Sequence, residues 1–318
     1  MGHMDMRRLR TFLEFSRAES MREVADLLGT TTSTVSAQIA TLADEVGSEL
    51  LEPHGRGVRL TPAGRRLAEH AVAILAAVEA ARSDLRAGAE PAGTLRVAGF
   101  ATAIRQGVIP IISEAAARYP SFRIEVHEHE PAEAVKMLLS GQTDVALTYD
   151  YSLAPQLRDP RLDVTELWST PWGLGVPAKD AGGLRGTAPE IFAQLVGRDW
   201  IGASRNQGDE EVLRIIGSLA GFEPKPRHEA DSLDLVEDLI LAGLGVGLLP
   251  QDRKPRAGVA ILALDQPGVR LRSYAQTRKG HDTWPALRYV LDRLTTPETA
   301  GIKCRAGRGR ECQMNGTP

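Results

Sequence analysis

Cysteine is scarce in this chain, and the two that occur, Cys304 and Cys312, lie near the C-terminus. A disulfide framework is therefore excluded for the rest of the chain, and the spacing of the two matches no common zinc-binding pattern. No run of about 18 apolar residues occurs, so no membrane-spanning helix is predicted. The N-terminal residues are polar and basic and lack the apolar core of a signal peptide, so we expect a cytoplasmic protein.

Motifs for catalysis are also missing: the sequence has no nucleophile elbow, no phosphate-binding loop and no Ser/His/Asp set with motif support. We therefore do not expect an enzyme, and we expect no cofactor. The net charge of −3 argues against a protein that coats nucleic acid indiscriminately, but it leaves room for a local basic patch. At 318 residues the chain suits two or three domains.

What the sequence does contain is the pattern of two short helices at residues 20–46. Ser20 and Glu23 form a capping box at the start of the first helix, and Gly29 ends it. The second helix follows the threonines after Gly29, and its apolar residues recur at intervals of four, three and four, which predicts one narrow buried stripe. The stripe consists of Val35, Ile39, Leu42 and Val46. An amphipathic helix at residues 6–16 would cover the apolar faces of this pair.

The opposite face of the second helix carries small side chains, several of them with hydroxyl groups. Such side chains let a helix backbone approach a surface closely, as a recognition helix in the major groove of DNA requires. An ordinary helical hairpin with a polar face is the alternative interpretation. We predict that hydroxyl and amide groups read the bases, and Gln38 is able to pair bidentately with adenine. Local hydrogen bonds to the backbone are the alternative role for Ser36 and Gln38. The residues predicted to contact DNA are Arg22, Thr32, Ser33, Thr34, Ser36, Gln38, Arg56 and Arg59.

Residues 50–60 predict a wing beside these helices. Two short apolar runs flank glycines 55 and 57, which is the pattern of a β-hairpin with glycines at its tip. Four arginines lie in or just after this segment, and no acidic residue occurs between Glu52 and Glu69. They are Arg56, Arg59, Arg65 and Arg66. An arginine at a hairpin tip suits a narrow minor groove, although a solvated loop would explain the same pattern.

A long helix is predicted from Pro62 to about Ala87, with Thr61 as its N-cap. Its apolar residues repeat at intervals of four and three, as in a coiled coil. A narrow apolar stripe on a long exposed helix needs a partner, and we expect the same helix of a second subunit, so that two recognition helices reach successive turns of DNA. The predicted dimerisation residues are Leu67, Ala71, Ile74, Val78, Ala81 and Leu85.

These motifs resemble the N-terminal domain of the LysR-type transcriptional regulators, and the resemblance covers residues 6–87. The matching stretches are Val35-Ser36-Ala37-Gln38-Ile39, Leu50-Leu51, Gly55-Arg56, and Leu60-Thr61-Pro62-Ala63-Gly64 before a long helix. The family usually has an aromatic residue and an arginine where this chain has Leu51 and Pro53, and often a basic residue in place of Ala37. Residues 31–46 contain no lysine or arginine. Phosphate contacts are therefore expected from arginines elsewhere, namely Arg22, the wing arginines, and Arg7, Arg8 and Arg10.

From Thr94 onward, short apolar strands alternate with helices, which predicts a mostly parallel sheet. The order of elements and the stretch from Leu241 to Pro250 resemble the effector-binding region of the same family. The resemblance implies an α/β fold class: an N-terminal winged helix-turn-helix with a long linker helix, then a two-lobed, periplasmic-binding-protein-like effector domain. We expect domains at residues 5–61 and 62–88, lobe I at 94–168 and 269–296, lobe II at 169–268, and a disordered tail at 297–318. The chain would cross between lobes near Trp168-Ser169 and near Asp265 to Gly268.

Ligands of open α/β sheets bind beyond the carboxyl ends of the strands, where helix N-termini direct backbone N–H groups at them. Residues at such places in this chain are predicted to contact an effector, although each is also explained as a helix cap. They are Thr102, Ala103, Tyr149, Ser204, Asn206, Gln207 and Ser232. The convergence of several helix N-termini favours an anionic effector. Trp168 and Trp172 either wall the cleft or pack the lobe interface.

Two further patterns have simpler explanations than a binding site. Gly243-x-Gly245-x-Gly247 follows a helix and precedes a strand, the reverse of a dinucleotide fingerprint, so it predicts a helix end and a tightly packed strand. His127 and His129 alternate with glutamates, and a solvated strand end explains them better than a metal site.

The sequence thus predicts a DNA-binding transcriptional regulator whose DNA binding or bending is modulated by a small molecule in the cleft between two lobes. The resemblance further implies a homodimer or homotetramer, partly palindromic double-stranded DNA, and altered recruitment of RNA polymerase. One alternative is a regulator of the same fold without an effector, whose cleft is filled by its own side chains. Another is a solute-binding or enzymatic α/β protein with a vestigial helical domain.

Overall fold

The computed structural model describes residues 4–18, 20–55, 57–84, 90–280, 284–296, 302–305 and 311–314. Three parts follow one another along the chain: a helical N-terminal domain with a small β-hairpin, a long helix, and a two-lobed α/β domain. None of the helices in these ranges has the length and apolar character needed to cross a membrane.

The N-terminal domain packs three helices against a β-hairpin. These elements are α1 (Met6–Ala18), α2 (Met21–Leu27), α3 (Thr32–Val46), β1 (Leu51–His54) and β2 (Gly57–Leu60). The predicted helix starts are confirmed, because Ser20 Oγ accepts the Glu23 N–H at 3.3 Å and Thr31 Oγ1 accepts the Thr34 N–H at 3.2 Å. The predicted stripe of α3 is buried against α1 and α2, apart from half-buried Val46. The wing is formed by β1 and β2, which pair antiparallel as predicted.

The long helix α4 (Pro62–Asp84) begins at its predicted cap, where Thr61 Oγ1 accepts the Gly64 N–H at 2.9 Å. Gly64 lies directly against the segment before the wing, since a Cβ atom there would overlap the Leu50 carbonyl oxygen. This close approach allows only glycine, and it fixes where α4 leaves the domain.

The first half of α4 covers the core of its own domain. Ala71 is fully buried there, so it is not available to a second subunit as predicted, because α1 lies across that face of α4. Leu67 and Ile74 also pack partly against this core. Val78 is half-buried. The side chain of Ala81 and all of Leu85 lie outside the described residues.

The α/β domain is built on one mixed nine-stranded sheet. Its strands are β3 (Gly93–Gly99), β4 (Phe122–Glu128), β5 (Val145–Tyr151), β6 (Leu162–Pro177), β7 (Trp200–Gly202), β8 (Pro226–Glu229), β9 (Val246–Pro250), β10 (Val259–Ala263) and β11 (Val269–Arg278). The order is β4-β3-β5-β11-β6-β9-β7-β8, with β10 paired to β6. Parallel pairing is confined to β3 with β4 and β5, and to β7 with β8 and β9. The predicted parallel sheet is therefore right for each end of the sheet and wrong for its middle, where β11, β6 and β10 run antiparallel.

Helices cover this sheet on both lobes. They are α5 (Ala101–Ala103), a π-helical segment (Ile104–Val108), α6 (Ile109–Arg118), α7 (Pro131–Leu139), α8 (Ala178–Ala181), α9 (Ala188–Ala193), α10 (Gln207–Leu219), α11 (Leu233–Leu241) and α12 (Pro285–Thr295). Lobe I has its own apolar core around β3, β5 and α12, and lobe II has another around β6, β9 and α10. The predicted glycine run after α11 ends that helix, and its Gly247 packs tightly against Ile201 and Val236.

Two long strands carry the chain between the lobes. Along β6, Trp168 belongs to the core of lobe I and Trp172 to the core of lobe II, so the first crossing lies close to its expected position. Along β11, Val269 and Leu271 still pack in lobe II, and Ala275 is the first core residue of lobe I. The second crossing is thus inside β11, at its register shift between Arg272 and Tyr274, and later than expected.

Two further features bear on the predicted domain boundaries: a pair of strands in the tail, and a contact between the N-terminal domain and lobe I. The tail, expected to be disordered, contains the paired strands β12 (Ile302–Arg305) and β13 (Glu311–Met314); its other residues lie outside the described ranges. The N-terminal domain also contacts lobe I directly. The Arg17 guanidinium donates to the Gly141 carbonyl oxygen at 2.7 Å and to the Ser140 carbonyl oxygen at 3.4 Å.

Candidate DNA-binding surface and interlobe cleft

The outward face of α3 is flat and rich in hydroxyl groups. Thr32, Ser33, Thr34 and Ser36 are all exposed, as predicted from the sequence. The Thr31 hydroxyl at the helix start lies 2.8 Å from the Ser33 hydroxyl and 2.9 Å from the Thr34 hydroxyl, so the first turn holds its donors in fixed positions. Exposed Ala37 and Ala40 continue this face without protruding, which permits close approach to a DNA groove.

Gln38 does not belong to this face in the way that the sequence predicts. Its Oε1 atom accepts a hydrogen bond from Thr11 Oγ1 at 2.6 Å, and the residue is half-buried. Bidentate pairing with adenine would use Oε1 and Nε2 together. The structure thus gives this amide another role, which is to connect α3 to α1, and it does not support the predicted base contact.

The arginines predicted to contact DNA phosphates differ from one another in their surroundings. Arg22 is exposed on α2, next to the start of α3. Arg59 is exposed on the wing, but its Nε atom donates to Glu52 Oε1 on the paired strand at 2.7 Å, which partly neutralises its charge. Arg56 lies outside the described residues.

A cavity of about 360 Å³ lies between the two lobes and is lined by both of them. Trp168 and Trp172 line it while also packing in the lobe cores, so both interpretations of these residues hold. Three aromatic rings connect the two tryptophans in space, with centroid separations between 4.7 and 6.2 Å: Phe100, Tyr149 and Tyr151. Phe100, Tyr149, Trp168 and Trp172 therefore form an aromatic wall of the cleft, with fully buried Tyr151 packed behind it.

The π-helical segment after α5 contributes the next part of the lining. A π-helical turn is wider than an α-helical turn and often marks a functional site. Arg105 and Gln106 lie in this turn, and both line the cleft. The Oε1 atom of Gln106 is buried and has no hydrogen-bond partner within the described part of the chain. The Nε1 atom of Trp172 is likewise buried without an acceptor among those residues.

The predicted effector residues are divided between four places. Thr102, Tyr149 and Ser232 line the cleft. Asn206 and Gln207 line a neighbouring cavity of about 460 Å³, which shares Tyr149 with the cleft. Ser204 lies beside the cleft, and its hydroxyl donates to Asp231. The side chain of Ala103 is fully buried in the core of lobe I and does not reach the cleft.

Four polar side chains form a hydrogen-bonded interlobe network: Glu130 and Tyr149 from lobe I, and Asn206 and Asp209 from lobe II. The Tyr149 hydroxyl donates to Glu130 Oε2 at 2.9 Å and accepts from Asn206 Nδ2 at 2.6 Å. The same amide nitrogen donates to Asp209 Oδ1 at 3.1 Å. The network therefore joins the lobes through one amide group, and its two carboxyl groups line the cleft.

The ionisation of these carboxyl groups is perturbed by burial. Removal from water raises the pKa of Asp209 to about 7, with further increases from the nearby charges of Glu130 and Asp231. Burial also raises the pKa of Glu130, which the hydrogen bond from Tyr149 offsets only in part. Asp231 behaves differently: burial acts to raise its pKa, but hydrogen bonds from Ser204 and Arg205 leave it lowered. Asp231 is thus a satisfied anion, whereas at Glu130 and Asp209 the effect of burial outweighs that of the hydrogen bonds they accept.

The charge of the cleft does not support the predicted anionic effector. Five carboxyl groups line the cavity, but only two guanidinium groups do: the acids are Glu128, Glu130, Asp209, Asp231 and Asp234, and the bases are Arg105 and Arg253. Arg253 is itself neutralised, because it donates to Asp234 and, at 3.1 Å, to fully buried Glu237. Helix α11 does begin at the cleft, but the surrounding carboxylates outweigh the attraction of its N-terminus for an anion.

Sequence reasoning did not select Glu130 and Asp209 as cleft residues. Asp209 occupies the first turn of α10, where an acidic residue is ordinary, and Glu130 immediately precedes α7. Glu130 does lie just after the end of β4, in the same kind of position as the residues that were predicted to contact an effector. Nothing local marked it as buried.

An N-terminal domain with a recognition helix and wing, a connecting helix, and two α/β lobes around a cleft define the class of ligand-responsive DNA-binding regulators. Residues 6–65 match the family described as "Bacterial regulatory helix-turn-helix protein, lysR family", and residues 88–296 match the "LysR substrate binding domain". The chain belongs to the LysR family, and the predicted fold class is confirmed.

Individual relatives are similar along most of the chain. The HTH-type transcriptional regulator CysB of Haemophilus influenzae is 26% identical over 265 residues, which are 82% of this chain and 78% of that protein. The nitrogen assimilation regulatory protein nac of Escherichia coli is 29% identical over 254 residues, 78% of this chain and 79% of its own. A full-length variant of OxyR from Pseudomonas aeruginosa shares the fold with a TM-score of 0.72 at 17% identity, covering 92% of this chain and 98% of that one. Full-length CbnR, solved in complex with its target DNA, has a TM-score of 0.54 at 21% identity, covering 92% and 99%.

Proposed function

We propose that this regulator binds DNA through the outward face of α3 and the wing, and that a small molecule in the interlobe cleft changes how it binds. The observation that carries the proposal is the open cleft of about 360 Å³, at which polar groups of both lobes converge. A ligand that touches both lobes binds one arrangement of them more tightly than another, and this differential affinity is what shifts a population.

Two observations argue against the two alternatives, one for each. A regulator without an effector would have a cleft filled by its own side chains, whereas this one leaves room for a molecule. A vestigial helical domain would not need a flat, exposed hydroxyl face on α3 or an arginine on a formed wing. We further propose that the cleft binds its ligand without converting it.

We propose that the working form in the cytoplasm is a homodimer or homotetramer on double-stranded DNA. The apolar residues of α4 repeat at intervals of four and three, the pattern of a helix that pairs with a second copy of itself. Two copies would place two α3 helices on the two half-sites of a partly palindromic site. A change of DNA bending would then alter the recruitment of RNA polymerase.

A footprint on the intergenic DNA upstream of the protein's own gene tests the proposal. We expect protection of two half-sites one or more helical turns apart, and a changed footprint when fractions of a metabolite extract are added. Absence of protection at any concentration, together with turnover of a metabolite by the purified protein, would support the enzymatic alternative instead.

A further inference from the structure

The interlobe cleft combines an aromatic wall with two carboxyl groups that accept few hydrogen bonds: buried Glu130, and Asp209, which is partly exposed to the cleft. Glu130 is 7% exposed, and its carboxylate accepts from the Tyr149 hydroxyl and from the backbone N–H of Glu133. Asp209 receives one from Asn206 in the described geometry. A buried carboxylate generally accepts several hydrogen bonds or faces a cation, because its desolvation is otherwise uncompensated.

Within the described part of the chain, no arginine or lysine side chain is paired with Glu130 or Asp209. Arg205 lowers the pKa of Glu130 through its charge, but its guanidinium donates to Asp231 at 2.9 Å and lies 3.6 Å from Glu133. Arg253, on the other side of the cleft, is bound by Asp234 and Glu237. The two arginines are therefore engaged with other carboxylates, while the charge of Glu130 raises the pKa of Asp209 across the lobe boundary.

Two further groups in the lining point to a ligand. The buried Oε1 atom of Gln106 is an acceptor without a donor among the described residues, and the Trp172 indole N–H is a donor without an acceptor there. Trp172 is 7% exposed, so water is largely excluded from its indole N–H. An ammonium group has three N–H donors and no acceptor, which suits Glu130, Asp209 and Gln106 together.

Building on the proposed effector cleft, we propose that its ligand is an organic cation, an amine whose ammonium group lies between Glu130 and Asp209 and whose apolar part lies against Trp168 and Trp172. The aromatic wall adds attraction for a cation, since the faces of tryptophan and tyrosine rings carry negative electrostatic potential. The Trp172 N–H provides a place for an acceptor atom on the same ligand. Since the acids come from different lobes, one ammonium group would hold both lobes together.

Matched probes of different charge test this proposal on the full-length protein. One series is benzylamine, benzyl alcohol and benzoate, and a linear series is 1,4-diaminobutane, 1,4-butanediol and succinate. Binding is measured by isothermal titration at pH 7.5 and by quenching of tryptophan fluorescence, because two of the four tryptophans line the cleft. We expect at least one cation to bind saturably, and about tenfold or more tighter than the alcohol and the carboxylate of its series.

Two conservative variants locate the binding. Glu130→Gln and Asp209→Asn keep the shape and an acceptor oxygen while removing the charge, and each is expected to weaken binding of the cation about tenfold or more without affecting the alcohol. Glu229→Gln, an exposed residue of β8 outside the cleft lining, is the matched control and should leave binding unchanged. Thermal unfolding checks that all three variants are folded.

The proposal is overturned if neither cation binds, if a carboxylate binds as tightly as its matched cation, or if the control weakens binding as much as the cleft variants do. A DNA footprint run on the same samples separates this result from the proposed function. Retained footprinting with preference for benzoate or succinate would leave the effector cleft standing and replace only the ligand class. Loss of any footprint on upstream DNA would instead remove the proposed function itself.

Discussion

The outward face of α3 and the interlobe cleft are both recognition surfaces, yet they are built in opposite ways. Residues 32–43 of α3 contain no charged side chain, and the hydroxyl groups come from one continuous segment and stay exposed. The cleft takes carboxyl groups from separated segments, and it buries one of them, Glu130, while Asp209 and Asp231 are partly exposed. The comparison teaches that charge is used where a small ligand can be enclosed and is left out where a groove must be approached closely.

Because α3 contains no lysine or arginine, neutralisation of DNA phosphates rests on a few arginines elsewhere, and their number sets the salt dependence of DNA binding. Three or four phosphates for each subunit of a dimer give a slope of log affinity against log salt of about −6, at roughly 0.9 for each phosphate. Affinity should then fall about a thousandfold between 50 and 200 mM salt. Fluorescence anisotropy with labelled operator DNA measures the slope, and a value near −2 would mean that the arginines contribute little.

A negative charge placed on the uncharged face should be strongly unfavourable. Ser36→Glu is expected to weaken specific DNA binding about a hundredfold, since like charges brought together at an interface cost several kcal/mol. Ser218→Glu, the same change at an exposed position of α10, is the control. Gel shifts measure both variants. Equal affinity of Ser36→Glu and the parent protein would place DNA elsewhere than on α3.

In the cleft, the buried acid should make stability depend on pH. The pKa of Asp209 is about 7 in the folded protein against about 3.9 in an unfolded chain, so the folded state binds a proton more tightly. The free energy of unfolding should therefore fall as pH rises from about 4 through about 7. Glu130, Tyr149, Tyr151, Glu210 and Asp231 are the titratable groups that interact with Asp209.

Asp209→Asn should remove this loss, which we place at about 1–2 kcal/mol because Asp209 is partly exposed to the cleft. Urea unfolding at pH 5 and pH 8 measures it, and the gain of the variant over the parent should be larger at pH 8. A difference independent of pH would show that Asp209 is ionised at both pH values.

The smallest expected effect concerns Gln38, which was predicted to contact DNA and instead accepts a hydrogen bond from Thr11 of α1. Gln38→Met and Thr11→Val should each lower the free energy of unfolding by about 1 kcal/mol, with the double variant losing less than the sum, since both remove the same hydrogen bond. Urea unfolding of the four proteins provides the cycle. The preferred operator sequence should be unchanged in Gln38→Met; a lost preference for adenine at one position would restore base contact to this residue.

What the sequence predicted well was local. The caps at Ser20 and Thr61, the buried stripe of α3 and the wing each depend on residues within a few positions of one another. The hydrogen bonds from Thr11 to Gln38, from Tyr149 to Glu130 and from Asn206 to Tyr149 connect residues 27, 19 and 57 positions apart, and no periodicity marks such pairs.

The excess of carboxyl groups in the cleft was not predicted from the sequence, for a similar reason. Helix N-termini are visible in the sequence and favour anions, but the carboxyl groups that reverse this preference are brought together only by the packing of two lobes. The second crossing was placed in a loop because the turn residues at 265–268 suggested one, whereas β11 continues through both lobes as a single strand.

Gly64 has no Cβ atom, and this has a consequence for the whole assembly. Because α4 starts with its backbone against the Leu50 carbonyl oxygen, its exit direction is set by main-chain contact and not by side chains that could change rotamer. Each DNA-binding domain is thus rigidly attached to the start of its own connecting helix. Any signal that alters the distance between two recognition helices has to act farther along that helix, or through the contact of Arg17 with lobe I.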